Sequence, residues 1–293
     1  MFELLTGDDL YAEVLLLLDD TGKGVVLVEG PDDVDTLDTH VDEDKFYLIP
    51  GYGKTSVVET IALVDADQLD LVLAILDRDW VGILDEPNPS SNVVYTDMYD
   101  LDSTVMLTGD SCSRVVTSFC KTAVMKKHVA QSEFGKPLEF AIRPAVAVGA
   151  IRLITREHGL NLRAREFPVA EIMDFDGGHP NLQLAATIAI SKAAGARPKE
   201  KAEEVLPLLA AKYGEIDMEA RYCSGHDIFP ALAAVMKKRW GGSVNANNVA
   251  KAIRAAFSCA ELMRTSLYRD VEAWAESRST YVWNCPEIMR GVV

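Results

Sequence analysis

Two stretches decide how this chain folds: GVVLVEGPDDV at residues 24–34 and LVLAILDRDW at residues 71–80. Each opens with a short, continuous apolar run, rich in β-branched residues in the first. Each then breaks into acids. Runs of this length and composition read as strands buried on both faces. Pro31, Asp32 and Asp33 then supply a proline and two acids for the first turn of a helix. The same alternation continues between and around the two stretches. KFYLI at 45–49 predicts a strand, PGYG at 50–53 a turn, and residues 55–64 a helix. DEPNPSSN at 85–92 predicts a polar loop, and residues 93–96 a fourth strand. Residues 2–18 predict an amphipathic helix ahead of the first strand. Strands alternating with helices imply an α/β fold with a parallel sheet covered on both faces.

Beyond residue 110 the alternation stops. Helices are expected at 103–108, 112–131, 138–158, 180–195, 199–213, 227–240 and 246–277, with Asn245 capping the last. Val146, Ala150, Ile151 and Ile154 read as core. The charge balance changes at the same point. Residues 1–110 carry 26 acidic and 4 basic side chains; residues 111–293 carry 19 and 25. The expected division is therefore 1–110, a catalytic α/β domain, and 111–293, a mainly α-helical domain. A net charge of −16 argues against a nucleic-acid enzyme until this asymmetry is seen. The acidic part suits metal ions or a basic partner, and the basic part suits a phosphate backbone.

No run is long and apolar enough to span a bilayer. MFELLTGDDLYAEVLLLLDD lacks the basic start of a signal peptide. The five cysteines (Cys112, Cys120, Cys223, Cys259, Cys285) are odd in number and contain no C-x-x-C pair. The expectation is a reduced cytoplasmic protein without a zinc site or membrane association.

Ligands of an open parallel sheet collect at the carboxyl ends of its strands. Glu29 follows the first strand, Asp77 and Asp79 the third, and Asp97, Asp100 and Asp102 the fourth. If strands one, three and four are neighbours, these acids converge. Asp77 and Asp79, two apart in an extended chain, would face one side and share an ion. Two carboxylates about 5 Å apart repel by roughly 3 kcal/mol at an effective dielectric near 20. A divalent cation relieves that repulsion, and Mg²⁺ prefers a few carboxylates with water and phosphate oxygens. Glu29 is then a ligand or a general base. Asp32 and Asp33 read as helix-start acids.

The Glu-Gly and D-x-D marks in VLVEGPDDV (26–34) and LAILDRDW (73–80) resemble the TOPRIM domain of topoisomerases, primases and OLD-type nucleases. YTDMYDLDSTVM (95–106) and CSGHDIFPAL (223–232) resemble the TOPRIM nuclease effectors found beside ABC-type ATPases in PARIS-type phage-defence loci. The resemblance implies a TOPRIM-like parallel sheet flanked by helices, with catalytic Glu29, Asp77 and Asp79. It adds Asp100 to the metal set and implies Mg²⁺, or Mn²⁺, as cofactor. It also implies endonuclease activity on RNA (tRNA in particular) or DNA, an ABC-type ATPase sensor as controlling partner, and a homodimer as the active form.

Three further groups carry expectations. Gly51-Tyr52-Gly53-Lys54-Thr55 has the look of a phosphate loop, but Leu48 stands where that motif needs glycine. A glycine turn capping the second helix is the plainer reading, and the TOPRIM resemblance adds a third, in which Lys54 faces the metal site and touches a phosphate. Asp227 is expected to cap the helix after it, while His226 orients a carboxylate or protonates a leaving group. Arg143, Arg152 and Arg156, with Lys126 and Lys127, form the candidate nucleic-acid track. His40, His128, His158 and His179 read as surface residues. Two other functions stay open: a non-catalytic regulatory subunit docked on an ATPase, and a nucleotide-binding enzyme using the Gly51–Thr55 turn.

Overall fold

The computed structural model describes residues 6–84, 90–193, 200–216 and 218–285. The expected loop at 85–89 and the expected helix ends at 194–195 and 199 lie outside the described residues, as do residues 2–5 of the first expected helix.

Alternating strands and helices build the first unit, which comprises Met1–Thr108 and Phe257–Val293. Its elements are α1 (Gly7–Thr21), β1 (Gly24–Val28), α2 (Pro31–Leu37), β2 (Phe46–Pro50), α3 (Lys54–Ala66), β3 (Val72–Leu76), β4 (Val93–Tyr95) and α4 (Leu101–Thr108). After the second unit, α12 (Cys259–Leu262) and α13 (Ser266–Glu276) return to it. The four strands form one parallel sheet in the order β2-β1-β3-β4. Val28 sits beside Ile75, and Leu76 beside Tyr95. The three strands that lead into acids are therefore neighbours.

Both faces of the central strands are buried, which explains their unbroken apolar sequence. Val25, Leu27, Val72, Ala74 and Leu76 join Leu10 and Val14 of α1 and Val57, Ile61 and Val64 of α3 in one core. The alternate residues Val26, Val28, Leu73 and Ile75 are buried on the other face. There α2 contacts β1 and β2, α13 contacts β4, and Trp274 meets Phe46 edge to face.

The return of the C-terminal segment corrects the expected boundaries. The first unit ends at Thr108, close to the expected 110, but the helical unit runs only to Ala256. The reason is a set of long-range contacts. Asp97 accepts hydrogen bonds from the backbone N–H groups of Ser266 and Leu267, capping α13. Trp274 Nε1 and Arg278 Nη2 donate to Asn92. Val41 pairs with Trp283 in an antiparallel bridge.

The second unit, Gly109–Ala256, holds α5 (Ser111–Phe119), α6 (Thr122–Gln131), α7 (Glu139–His158), α8 (Leu182–Ser191), α9 (Ala202–Glu215), α10 (Gly225–Arg239) and α11 (Ala246–Ala256). Helix α7 lies at its centre, with Val146, Ala150, Ile151 and Ile154 fully buried as expected. It touches α8, α9 and α10. A Cβ on Gly149 would collide with the Tyr222 carbonyl, so the close approach there needs glycine.

Two long helices expected from the sequence are broken. The stretch 112–131 divides at Cys120, whose backbone is extended, while the Lys121 N–H bonds the Trp240 carbonyl. No proline or glycine marks that break; a tertiary contact makes it. The stretch 246–277 becomes α11, α12 and α13. Here the signal was legible: Ser258 and Glu261 form a capping box, and the Thr265 side chain caps α13. Asn245 does cap α11, accepting from the Asn248 N–H at 2.8 Å. No helix among the described residues is long and apolar enough to cross a membrane.

Candidate active site

The site lies at the carboxyl ends of β1, β3 and β4. The glycine turn between β2 and α3 is docked over the end of β1. The Gly51 N–H bonds the Val28 carbonyl, and the Gly53 N–H bonds the Glu29 carbonyl. A side chain on Gly51 would strike Val57, and Gly53 has φ 139°, a conformation that favours glycine. Those two amides are spent on the protein's own carbonyls, not held open to a phosphate. The turn delivers Lys54, the first residue of α3, into the acids. Its Nζ lies 2.5 Å from Asp79 Oδ2 and donates to the Asp77 carbonyl at 2.8 Å.

Glu29 reaches across from β1 to β3, where its Oε1 accepts the Asp77 N–H at 3.0 Å. Asp77 Oδ1 accepts the Leu101 N–H at 3.0 Å, holding the start of α4 against the end of β3. Asp100 caps α4, accepting the Ser103 N–H at 2.8 Å. Asp79 is not in line with Asp77. It has φ 46°, and its N–H bonds the Tyr99 carbonyl. The extended-chain argument for two aspartates side by side on one ion is thus corrected. Asp77 turns toward Leu101, and Asp79 toward Lys54. Asp97 leaves the site altogether, because it caps α13.

The electrostatics show what gathering these acids costs. Burial raises the Glu29 carboxyl to about 7; Lys54 and the Asp77 N–H oppose the rise, while Asp79 and Asp33 add to it. Asp77 is raised well above its ordinary range, first by burial and then by Asp100, Glu29, Asp33 and Asp79. For Lys54, burial works against the charge, but the Asp79 hydrogen bond and the charges of Asp79, Glu29 and Asp77 outweigh it, so its pKa rises. Asp33 does two things. It caps α2, its Oδ2 accepting the Gly30 N–H at 2.9 Å, and it adds negative charge against Glu29 and Asp77. The sequence supported only the first role; the second depends on where α2 starts relative to β3. Tyr95 was also not singled out, and its ring lies 5.8 Å from Lys54 Nζ.

A pH prediction follows from Glu29. Its folded-state pKa is about 7 against an ordinary value of 4.5, so the folded chain holds a proton that the unfolded chain has released. Its contribution is fully present below 4.5 and is lost as pH rises through about 7. Without divalent cation, the stability of the natural chain minus that of Glu29→Gln should fall through this window, by at most about 1.4 kcal/mol per pH unit. Mg²⁺ should offset the loss above pH 7, because it competes with that proton. Denaturant titrations at several pH values measure the difference; a flat difference curve rejects the assignment.

The remaining expected site residues lie in the second unit. His226 is exposed in the first turn of α10, where its N–H bonds the side chain of Ser224. Ser224, not Asp227, is the N-cap, which corrects that expectation. Asp227 is buried, and its Oδ2 lies 2.5 Å from Arg152 Nη1. Arg152 also donates to the Ala164 carbonyl at 3.2 Å. Arg143 pairs with Glu133, contacts His179 and lies over the Phe134 ring. Arg143 and Arg152 are therefore occupied within the fold and do not present a free basic track. Arg156, Lys126 and Lys127 are exposed.

Among the histidines, His158 and His179 are exposed as expected. His128 is half-buried and accepts the Trp240 Nε1–H at 2.9 Å. His40 is buried at 3% exposure. The expectation of unpaired cysteines also fails. Cys112, Cys120 and Cys223 are free, but Cys259 and Cys285 are joined in a disulfide beside His40. The pair is 26 residues apart and His40 is more than 200 residues away, so no local spacing rule could find them.

Among the described residues, these three form the only set of His, Cys, Asp or Glu whose ligand atoms all lie within 4.8 Å of one another. Glu29, Asp77 and Asp79 are spread more widely, with Lys54 supplying positive charge among them. Mg²⁺ does not require so tight a set; it takes one or two carboxylates and completes its shell with water and phosphate. The all-oxygen donors, the half-buried Asp77 and the mutual repulsion of the cluster fit such an ion. The fold and site define a four-stranded parallel α/β unit with an acidic cluster at its carboxyl edge. No protein-family model matches the chain, and no curated protein matches it.

Proposed function

We propose that this chain is a divalent-metal-dependent nuclease of TOPRIM-like type that hydrolyses phosphodiester bonds. The observation that carries this reading is the meeting of Glu29, Asp77 and Asp79 around Lys54 at the adjoining ends of β1 and β3, with Glu29 raised to about 7. A carboxylate with that pKa is matched to accept a proton from water near neutral pH. Lys54 balances the acids and offers an ammonium to a phosphate oxygen. Asp77, with Glu29 and Asp100, is the proposed anchor for the cation. Mg²⁺, when bound, supplies the charge neutralisation that phosphodiester hydrolysis requires. RNA, and tRNA in particular, is the proposed substrate through the motif resemblance at 95–106 and 223–232. The same resemblance supports a role as a toxic effector in phage defence, held by an ABC-type ATPase.

The test is to induce the chain in cells and sequence the RNA and DNA 5′ ends that appear, with Glu29→Gln as the control. Discrete new ends are expected from the natural chain and should be absent from the control. Identical end profiles in the two would reject hydrolysis at this site and favour a scaffold role.

A further inference from the structure

We propose that the Cys259–Cys285 disulfide is a redox-active site, with His40 assisting its exchange with an external dithiol. The bond links cysteines 26 residues apart and encloses α12 and α13. His40, at 3% exposure, places Nδ1 3.5 Å from the sulfur of Cys259 and 3.5 Å from that of Cys285. Disulfide sulfurs carry no hydrogen, so this contact is a hydrogen bond only when the proton sits on Nδ1. Nε2 agrees with that tautomer. It is buried with no hydrogen-bond partner among the described residues, and a bare acceptor is left there at less cost than an N–H. A bond that only staples the chain needs no N–H beside it. The N–H matters most when a sulfur becomes a thiolate, because the hydrogen bond is then charge-assisted and stronger. Stabilising that thiolate makes it a better leaving group and the disulfide easier to reduce.

Burial distinguishes the two sulfurs. Cys259 is half-buried and Cys285 is fully buried, so an incoming thiolate reaches Cys259 first. It bonds to Cys259 Sγ, the Cys259–Cys285 bond breaks, and the electron pair leaves on Cys285 Sγ. The His40 Nδ1–H holds that thiolate until a proton arrives from solvent. The second sulfur of the dithiol then attacks the first, closing a disulfide in the reagent and releasing Cys259. Two electrons pass from the dithiol to the protein, and the two protons that the dithiol sheds balance the two that the cysteines take up. Backbone bonds keep the cysteines in place for the reverse step. The Asn284 N–H bonds the His40 carbonyl at 2.9 Å, and the Asp42 N–H bonds the Val282 carbonyl at 2.8 Å, setting Cys285 beside His40. The capping box of Ser258 and Glu261 fixes the turn that carries Cys259. All of these residues belong to the first unit, so the bond can open and re-form within it.

The full chain, folded and oxidised, is exposed to reduced dithiothreitol near pH 7, alkylated with iodoacetamide and mapped by mass spectrometry. Cys259 and Cys285 should become labelled within minutes without denaturant, and oxidised dithiothreitol should restore the bond. With glutathione in place of the dithiol, the mixed disulfide trapped by acid should map to Cys259. The reduced chain should melt roughly 5 °C lower, since a loop is released. These measurements need no variant to fold. His40→Phe, which keeps a ring but removes the N–H, should slow reduction about tenfold, whereas His40→Asn, which keeps a donor, should stay within about threefold of the natural chain. The proposal is overturned if the folded natural chain is reduced only after denaturant is added, or if the glutathione adduct maps to Cys285. It is also overturned if folded His40→Phe is reduced as fast as the natural chain.

Discussion

Asp77→Asn is expected to lower phosphodiester cleavage by about 10³-fold, the scale of removing a preorganised charge that acts in the transition state, while leaving the melting temperature unchanged or higher. The substitution isolates charge from shape. Asparagine keeps the oxygen that accepts the Leu101 N–H. The bonds from Lys54 to the Asp77 carbonyl and from the Asp77 N–H to Glu29 use the backbone and survive. What disappears is a half-buried negative charge opposed by Asp100, Glu29, Asp33 and Asp79. Loss of that repulsion favours the folded state, so activity and stability should move in opposite directions. Cleavage assays with purified chain and thermal melts give both quantities. Activity within tenfold of the natural chain would remove Asp77 from the machinery. A fall in both would mean that the site had collapsed.

Arg152→Ala should destabilise the second unit by about 3–5 kcal/mol, the usual consequence of stranding a buried partner charge. Asp227 is 1% exposed, and burial alone would push its carboxyl up; Arg152 is the main group holding it down, with His226 helping. The loss should appear as a melting-temperature drop on the order of 10 °C for a unit of this size. The double substitution Arg152→Met with Asp227→Leu should recover most of it, since removing both charges avoids the orphan. By contrast, Lys126→Ala and Lys127→Ala, on an exposed face of α6, should stay within about 0.5 kcal/mol. A loss under 1 kcal/mol for Arg152→Ala, with nucleic-acid binding abolished, would return Arg152 to the phosphate track.

These two residues illustrate different degrees of legibility. Asp77 was visible because it directly follows a buried apolar run, and strand ends are where sheet ligands collect. Arg152 was misread because its spacing from Arg156 describes a helix face without saying what covers that face. Asp227, 75 residues later, covers it. The same limit applies to Lys54. Its position in a glycine turn was legible, but its contact with Asp79 depends on the turn docking over the end of β1.

Local order along the chain determined the strands GVVLV and VLAIL, the glycine turn before α3, the extent of α7 and the Asn245 cap. Backbone propensity, burial period and capping act over a few residues, so a single sequence carries them. Tertiary structure alone decided the sheet order that makes β1, β3 and β4 neighbours, the turning of Asp79 away from Asp77, and the break at Cys120. It also decided the return of residues 257–285 to the first unit, and with it the meeting of His40, Cys259 and Cys285. Each of these depends on contacts between segments far apart in sequence, and their energies are set by which surfaces meet, which no local pattern records.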